Sequence, residues 1–179
     1  RKTRLLLDRL HDTAGYVPID ISPAALADST RALAARYPEL EVLPVCADYT
    51  TPFEVPQPRA PIGRRGVYFP GSTIGNFTPP QAQRFLARMA RVAGTCGVLL
   101  VGVDLRKDRA TLERAYDDAA GVTADFNRNL LVRINRELGG DFDLVRFAHR
   151  ARWDEVAGRV EMHLVAQEDQ IVRVAGRSF

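Results

Sequence analysis

Nothing in this sequence has the pattern of covalent catalysis, a metal centre or a membrane span. The three histidines, His11, His149 and His163, stand apart from one another and from both cysteines, so no cluster has the spacing of a zinc site. No Ser, Cys or Lys sits beside a histidine in a nucleophile motif, and no Walker loop is present. No apolar run approaches the ~18 residues of a membrane span. Leu5-Leu6-Leu7 is too short for a secretory signal, and no small-residue cleavage site follows it. The net charge of +3 is too small an excess to select nucleic acid or an anionic membrane. The local cluster Arg146, Arg150 and Arg152 reads as the solvated face of a strand. Cys46 and Cys96 fall inside apolar segments and are expected to be buried free thiols of a reducing, cytoplasmic environment.

What is present is a globular balance: 179 residues, 46% hydrophobic and 26% charged, enough for one domain with an appendage. Arg1 to His11 reads as a helix with Leu6, Leu7 and Leu10 on one side. Tyr16 to Ile21 reads as a strand. Ser22-Pro23 then supplies an N-cap and an N1 proline for a helix carrying Leu26, Leu33 and Tyr37, which stops before Pro38. Glu41 to Cys46 is a second strand, followed by a proline-rich loop through Pro52, Pro56, Pro58 and Pro61. Gly66 to Pro70 is a third strand. Thr78-Pro79-Pro80-Gln81 has the form of a capping box, opening a helix with Phe85, Leu86, Met89 and Val92 on one face. Gly97 to Asp104 is a fourth strand, apolar enough to be covered on both sides. Helices and strands thus alternate through the first 104 residues, the pattern of a doubly wound α/β sheet.

Beyond Asp104 the pattern changes. Helices are expected over Arg109 to Ala119 and over Thr123 to Leu138, the second bearing a stripe of Val122, Phe126, Leu130, Ile134 and Leu138. Alternating strands then place Phe147, His149, Ala151 and Trp153 on one face, and Val160, Met162, Leu164 and Ala166 on the next. A turn at Val156 to Arg159 joins them, and Ile171 to Val174 is a third strand. This part reads as an α+β lobe.

Polar residues fall where the parallel strands end: Asp20, Asp48, Asn76 and Asp104. Open α/β sheets bind ligands beyond those ends. Asp20 suits a ribose diol, or else it is an acid favoured by the dipole of the helix that follows. Asp48 suits the exocyclic amine of adenine, with the Tyr49 backbone N–H donating to a ring nitrogen; alternatively it is a polar turn residue. Gly71 to Phe77 is a glycine-bounded loop that permits close approach to a ligand. Within it Asn76 can both donate and accept, as an amino acid's carboxylate or amine requires. A plain strand-to-helix turn accounts for the same residues. Tyr116-Asp117-Asp118 is a polar patch that could equally be a helix surface. Pattern alone reaches an α/β domain for a nucleotide-like cofactor.

Several ordered segments are more specific than their periodicity. Arg1 to Leu7, Val17 to Ser22, Gly71 to Phe77, Ala115 to Asn127, Asn135 to Phe142 and Glu161 to Val165 together resemble the histidine Nα-methyltransferases of ergothioneine biosynthesis. The resemblance implies a class I methyltransferase with a Rossmann-like sheet over residues 1–105 and part of a substrate lobe over 106–179. It implies three successive methyl transfers from S-adenosylmethionine to the α-amine of L-histidine, giving hercynine, by a monomeric cytoplasmic enzyme that binds neither nucleic acid nor membrane. Carried over by motif, Lys2 holds the cofactor's methionine carboxylate and Asp20 its ribose. Asp48 and Tyr49 hold the adenine, Tyr49 standing where the family usually has Phe. Gly71 and Asn76 line the substrate amine and carboxylate, and Tyr116 donates its hydroxyl to that carboxylate. The family's Gly-Ser-Gly loop before Arg1, its N-terminal tyrosines and its later Glu-x-Ser segment are not in the sequence, so it reads as an internal fragment. Three other readings stay open: a methyltransferase of the same family for another amino acid, a non-catalytic interaction module, and a Rossmann dehydrogenase.

Overall fold

The computed structural model describes residues 2–179 and is a mixed α/β protein. It forms two compact units that divide between Asp104 and Leu105. In the first unit, α1 (Lys2–Leu7) is shorter than the helix expected over residues 1–11, and Arg1 lies outside the described residues. Helix α2 (Pro23–Arg36) starts where Ser22 Oγ accepts the Ala25 N–H at 3.4 Å, and it buries Leu26 and Leu33, seven residues apart on one face.

Strands β1 (Ile19–Asp20) and β2 (Val45–Cys46) pair in parallel, Ile19 opposite Val45 and Asp20 opposite Cys46. Both are shorter than expected, for a reason visible in the ladder. Upstream, Tyr16 bridges Val42: the Tyr16 N–H donates to the Glu41 carbonyl and the Leu43 N–H to the Tyr16 carbonyl. The next donor on that side would be residue 18, which is a proline with no N–H. The ladder resumes with the Val45 N–H on the Pro18 carbonyl at 2.9 Å. One extended segment is therefore split by a single missing donor.

Strands β3 (Gly66–Phe69) and β4 (Val98–Val101) are also parallel, with Gly66 opposite Val98 through Phe69 opposite Val101. Helix α3 (Pro79–Ala93) connects them and packs on both. At its start Gln81 Oε1 accepts the Thr78 N–H at 2.8 Å, as the capping-box pattern requires. Phe85 and Met89 are buried on its inner face. The two parallel pairs stand as separate two-stranded sheets, not as one four-stranded sheet. The expectation that β4 is covered on both sides fails: Val98, Leu99 and Leu100 are 42%, 37% and 53% exposed. Among the described residues each strand has one ladder partner, so β4 keeps an open edge there. The cysteines are likewise exposed, not buried. Cys46 closes β2 at the strand exit, and Cys96 lies in the turn between α3 and β4, where Arg64 Nε donates to its carbonyl at 2.8 Å.

In the second unit, α4 (Arg109–Tyr116) and α5 (Val122–Leu138) pack on a hairpin of β5 (Phe147–Asp154) and β6 (Arg159–Ala166). The hairpin pairs antiparallel from Phe147 opposite Ala166 to Asp154 opposite Arg159. Its turn is held by Asp154 Oδ1, which accepts the Ala157 N–H at 2.8 Å, and by Gly158 at φ 63°. Short strands β7 (Arg173–Val174) and β8 (Arg177–Ser178) complete the unit. The apolar stripe read on α5 is mostly not its packed face: Val122, Phe126, Leu130 and Leu138 are exposed, and only Ile134 of the five is half-buried. The inward residues are Asn127, Leu131 and Asn135, spaced at four. Leu131 is buried, Asn135 exchanges two hydrogen bonds with the Phe142 backbone (2.8 and 2.9 Å), and Asn127 reaches the hairpin. Satisfied amides, not extra leucines, hold this helix down.

Candidate functional site

In the first unit, parallel pairing brings the carboxyl ends of β1 and β2 side by side, and likewise those of β3 and β4. The β1–β2 pairing sets Asp20 opposite Cys46, two residues before Asp48, so the two acids leave adjacent strand ends. Asp20 is exposed, and its Oδ1 accepts the Ser22 N–H at 2.8 Å, which ties the acid to the start of α2. Asp48 is half-buried. Its Oδ1 accepts both the Thr50 N–H (2.8 Å) and the Thr50 hydroxyl (2.7 Å), closing a tight turn. The Thr50 hydroxyl and N–H, with the nearby Arg88 charge, hold the Asp48 carboxyl below the usual carboxylate range, so it is ionised at neutral pH.

The Tyr49 ring packs into the aromatic cluster of the first unit. The ring meets Phe69 at 5.5 Å and Phe85 at 6.1 Å, both edge-on. Arg88 Nη1, from α3, donates to the Tyr49 carbonyl at 3.1 Å. The Tyr49 N–H has no acceptor among the described residues. An ionised acceptor and a spare backbone donor thus stand on successive residues, the complement of an adenine edge. A cleft of about 200 Å3 lies between this turn and α3, lined by Thr50, Phe77, Gln81, Arg84, Phe85 and Arg88. A larger hollow of about 320 Å3 lies at the opposite strand ends, around Arg65 and Gly97, away from these residues.

The loop after β3 joins the same region through the aromatic cluster, since Phe77 stacks on Phe69 at 6.4 Å and meets Phe85 at 5.3 Å. Gly71 (φ 79°) and Ser72 (φ 59°) are both left-handed, a conformation glycine takes freely and serine seldom. Ser72 is held there because its Oγ accepts the Asp104 N–H at 2.9 Å, which locks the exits of β3 and β4 together. The chain then makes a 3₁₀ turn, Thr73–Asn76, that ends at Asn76. Asn76 is exposed and its amide has no hydrogen-bond partner among the described residues. Lys2 opens α1 and is exposed.

Tyr116 belongs to the second unit, as the last residue of α4. It is half-buried, and its hydroxyl has no partner among the described residues. The polar patch beside it is in part a cap: both Asp118 oxygens serve the start of α5, accepting the N–H groups of Val122 (3.0 Å) and Thr123 (2.8 Å). With the Thr123 side chain as the largest cause, those bonds lower the Asp118 pKa to about 2.

Reading the sequence missed Thr50, Arg88 and Ser72. The Asp-x-Thr spacing of a side-chain turn was visible at Asp48 and Thr50. Arg88 had no local signal, since its partner lies 39 residues away.

A family described as histidine-specific, S-adenosylmethionine-dependent methyltransferase matches residues 1–179. The chain is 47% identical over 178 residues to the histidine N-alpha-methyltransferase of Mycolicibacterium smegmatis, covering 97% of this chain and 54% of that protein. It is 45% identical over 177 residues to the histidine N-alpha-methyltransferase of Mycobacterium tuberculosis, with the same two coverages, 97% and 54%. Ergothioneine biosynthesis protein 1 of Schizosaccharomyces pombe is 27% identical over 180 residues, covering 96% of this chain and 23% of that protein. The chain belongs to this methyltransferase family, and it spans about half the length of the two bacterial relatives.

Proposed function

We propose that this chain carries the cofactor-binding part, over residues 1–105, and part of the substrate lobe, over 106–179, of a methyltransferase that trimethylates the α-amine of L-histidine to hercynine. The pairs β1–β2 and β3–β4 would belong to one doubly wound, Rossmann-like sheet. The observation that carries the reading is the ionised Asp48 carboxylate beside the unpartnered Tyr49 N–H, at a parallel strand exit next to Asp20. In this reading Asp48 accepts from the adenine amine, the Tyr49 N–H donates to the ring, Asp20 takes the ribose and Lys2 the methionine carboxylate. When bound, S-adenosylmethionine supplies an electrophilic methyl on a sulfonium whose departure leaves a neutral thioether.

The chain's own residues then have mainly to orient the substrate. The nucleophile is the unprotonated amine, a minor form of a free amino acid near neutral pH, which the site would have to select and hold. Gly71 and Asn76 line the amine and carboxylate, and the Tyr116 hydroxyl donates to the carboxylate, holding the nitrogen in line with the methyl. We take the enzyme as monomeric and cytoplasmic, the first to be read by light scattering and the second by fractionation.

The test is calorimetric titration with S-adenosylhomocysteine, with and without L-histidine, alongside mass-spectrometric counting of methyl groups on the product. Binding that tightens with L-histidine, and three methyl additions, are expected. Equal turnover of unrelated amino acids would refute the assignment to L-histidine. Asn76→Ala should raise the KM for L-histidine at least tenfold with little change in cofactor affinity; equal losses in both would remove Asn76 from the substrate site.

A further inference from the structure

His149 stands in the middle of β5, half-buried, with both ring nitrogens engaged. Nε2 lies 2.8 Å from the Tyr116 carbonyl oxygen, and Nδ1 lies 3.0 Å from Asn127 Nδ2. Asn127 Nδ2 also donates to the His163 carbonyl at 3.1 Å, on the neighbouring strand. A carbonyl can only accept, so Nε2 carries the hydrogen. The amide cannot be turned over, because its oxygen would then face the His163 carbonyl, acceptor against acceptor. Its two N–H groups therefore serve His163 and His149 Nδ1, and Nδ1 must accept. The network thus sets the roles of the ring: Nε2 donates and Nδ1 accepts.

The bond from His149 falls on the final carbonyl of α4, where a helix leaves its acceptors unsatisfied. One turn earlier, Glu113 Oε1 accepts the Trp153 N–H at 3.0 Å, so α4 is fastened to β5 at two places. Three residues past Glu113, the helix end is set by His149, and Asp118 immediately afterwards locks the start of α5. The segment around Tyr116 is thereby held by the His149 side chain of β5, and by its own Glu113 and Asp118 side chains on the backbones of β5 and α5, while the Tyr116 hydroxyl itself is left for a ligand.

We propose that His149, oriented by Asn127, is a positioning residue for Tyr116: as an Nε2 donor it sets the direction from which the Tyr116 hydroxyl meets the carboxylate of an amino-acid substrate. This rests on the assignment of Tyr116 to the substrate. The role is separate from catalysis, since His149 reaches the substrate only through another residue.

The experiment compares His149→Leu, which has no donor, with His149→Gln, whose amide nitrogen can take the place of Nε2. Steady-state methyl transfer, S-adenosylhomocysteine titration and thermal melting are measured on each, in the intact protein. His149→Leu should raise the KM for L-histidine about tenfold, with kcat and cofactor affinity changed less than about threefold, and His149→Gln should recover most of the loss. A folded His149→Leu with unchanged KM overturns the proposal, as does His149→Gln failing as badly as leucine, or parallel losses of cofactor and substrate binding. If His149→Leu does not fold, nitrogen-15 NMR of the wild-type imidazole decides: the Nε2–H tautomer is expected, and the Nδ1–H tautomer overturns it. Tyr116→Phe separates the premise from the proposal, because an unchanged KM there refutes the Tyr116 assignment itself.

Discussion

Phe85 is the side chain on which the first unit's core and its strand-end loops both depend. It is 3% exposed, and its ring meets Phe69 at 4.4 Å, Phe77 at 5.3 Å and Tyr49 at 6.1 Å. Replacing a buried Phe by Ala costs about 3–5 kcal/mol in lost transfer energy and residual cavity. Each of the three ring pairs adds about 0.5–1.5 kcal/mol beyond burial, which places Phe85→Ala in the upper half of that range. Phe85→Leu keeps most of the apolar volume but loses all three ring pairs, and at the low end of their worth, about 0.5 kcal/mol each, a cost of about 1.5 kcal/mol is expected. Urea unfolding followed by far-UV circular dichroism reads both: the midpoint should fall in that order at nearly constant slope. Hydrogen exchange should show the loss in α3 and in the Asp48–Thr50 turn, whose Tyr49 ring leans on Phe85. Affinity for S-adenosylhomocysteine should fall with it, more for Ala than for Leu. A cost below about 1 kcal/mol for Phe85→Ala would mean that the cavity collapses without penalty and that the cluster does not brace the turn.

Two further outcomes follow from single groups. Asp48→Asn keeps an oxygen for the two Thr50 donors but sets an N–H where the adenine amine is proposed to donate. It should weaken S-adenosylhomocysteine about tenfold or more and abolish the preference over an analogue whose purine lacks the exocyclic amine; a retained preference would remove Asp48 from the adenine contact. Asp118 has its pKa lowered from 3.8 to about 2, so the stability it contributes is present above 3.8 and is lost as pH falls toward 2. Asp118→Asn, which cannot titrate there, should flatten the acid dependence of α5 helicity over that window, and superimposable acid titrations would contradict the cap.

What could be read from the chain divides by the range of the interaction. The Ser22-Pro23 start of α2, the Thr78 to Gln81 box and the buried Leu26–Leu33 and Phe85–Met89 pairs were legible because each is settled within about two helical turns. Even the shortening of β1 is local, since Pro18 removes the donor that would have continued the ladder. The error on α5 is of another kind. Val122, Phe126 and Leu130 have the spacing of a core stripe, yet the packed face carries Asn127 and Asn135, polar residues that a hydrophobicity pattern assigns to solvent. Asn135 is satisfied seven residues on, by the Phe142 backbone, but Asn127 is satisfied by His149 and His163, 22 and 36 residues away. Only tertiary structure makes burying that amide favourable.

The same division runs through the site. Asp20 and Asp48 could be named because strand ends are where parallel sheets bind ligands, and the β1–β2 register accounts for their proximity. What holds the neighbouring turns was not legible: Arg88 on the Tyr49 carbonyl, Phe85 beside the Tyr49 ring, and Asp104 holding Ser72 left-handed all come from distant segments. Residues that touch a ligand answer to its chemistry and so recur in recognisable local patterns. Residues that orient them answer only to geometry, and any donor in the right place will serve. Arg88 behind Tyr49 in the first unit and His149 behind Tyr116 in the second are two instances of one arrangement, in which a side chain from another element holds the backbone carbonyl of a tyrosine proposed to meet the ligand.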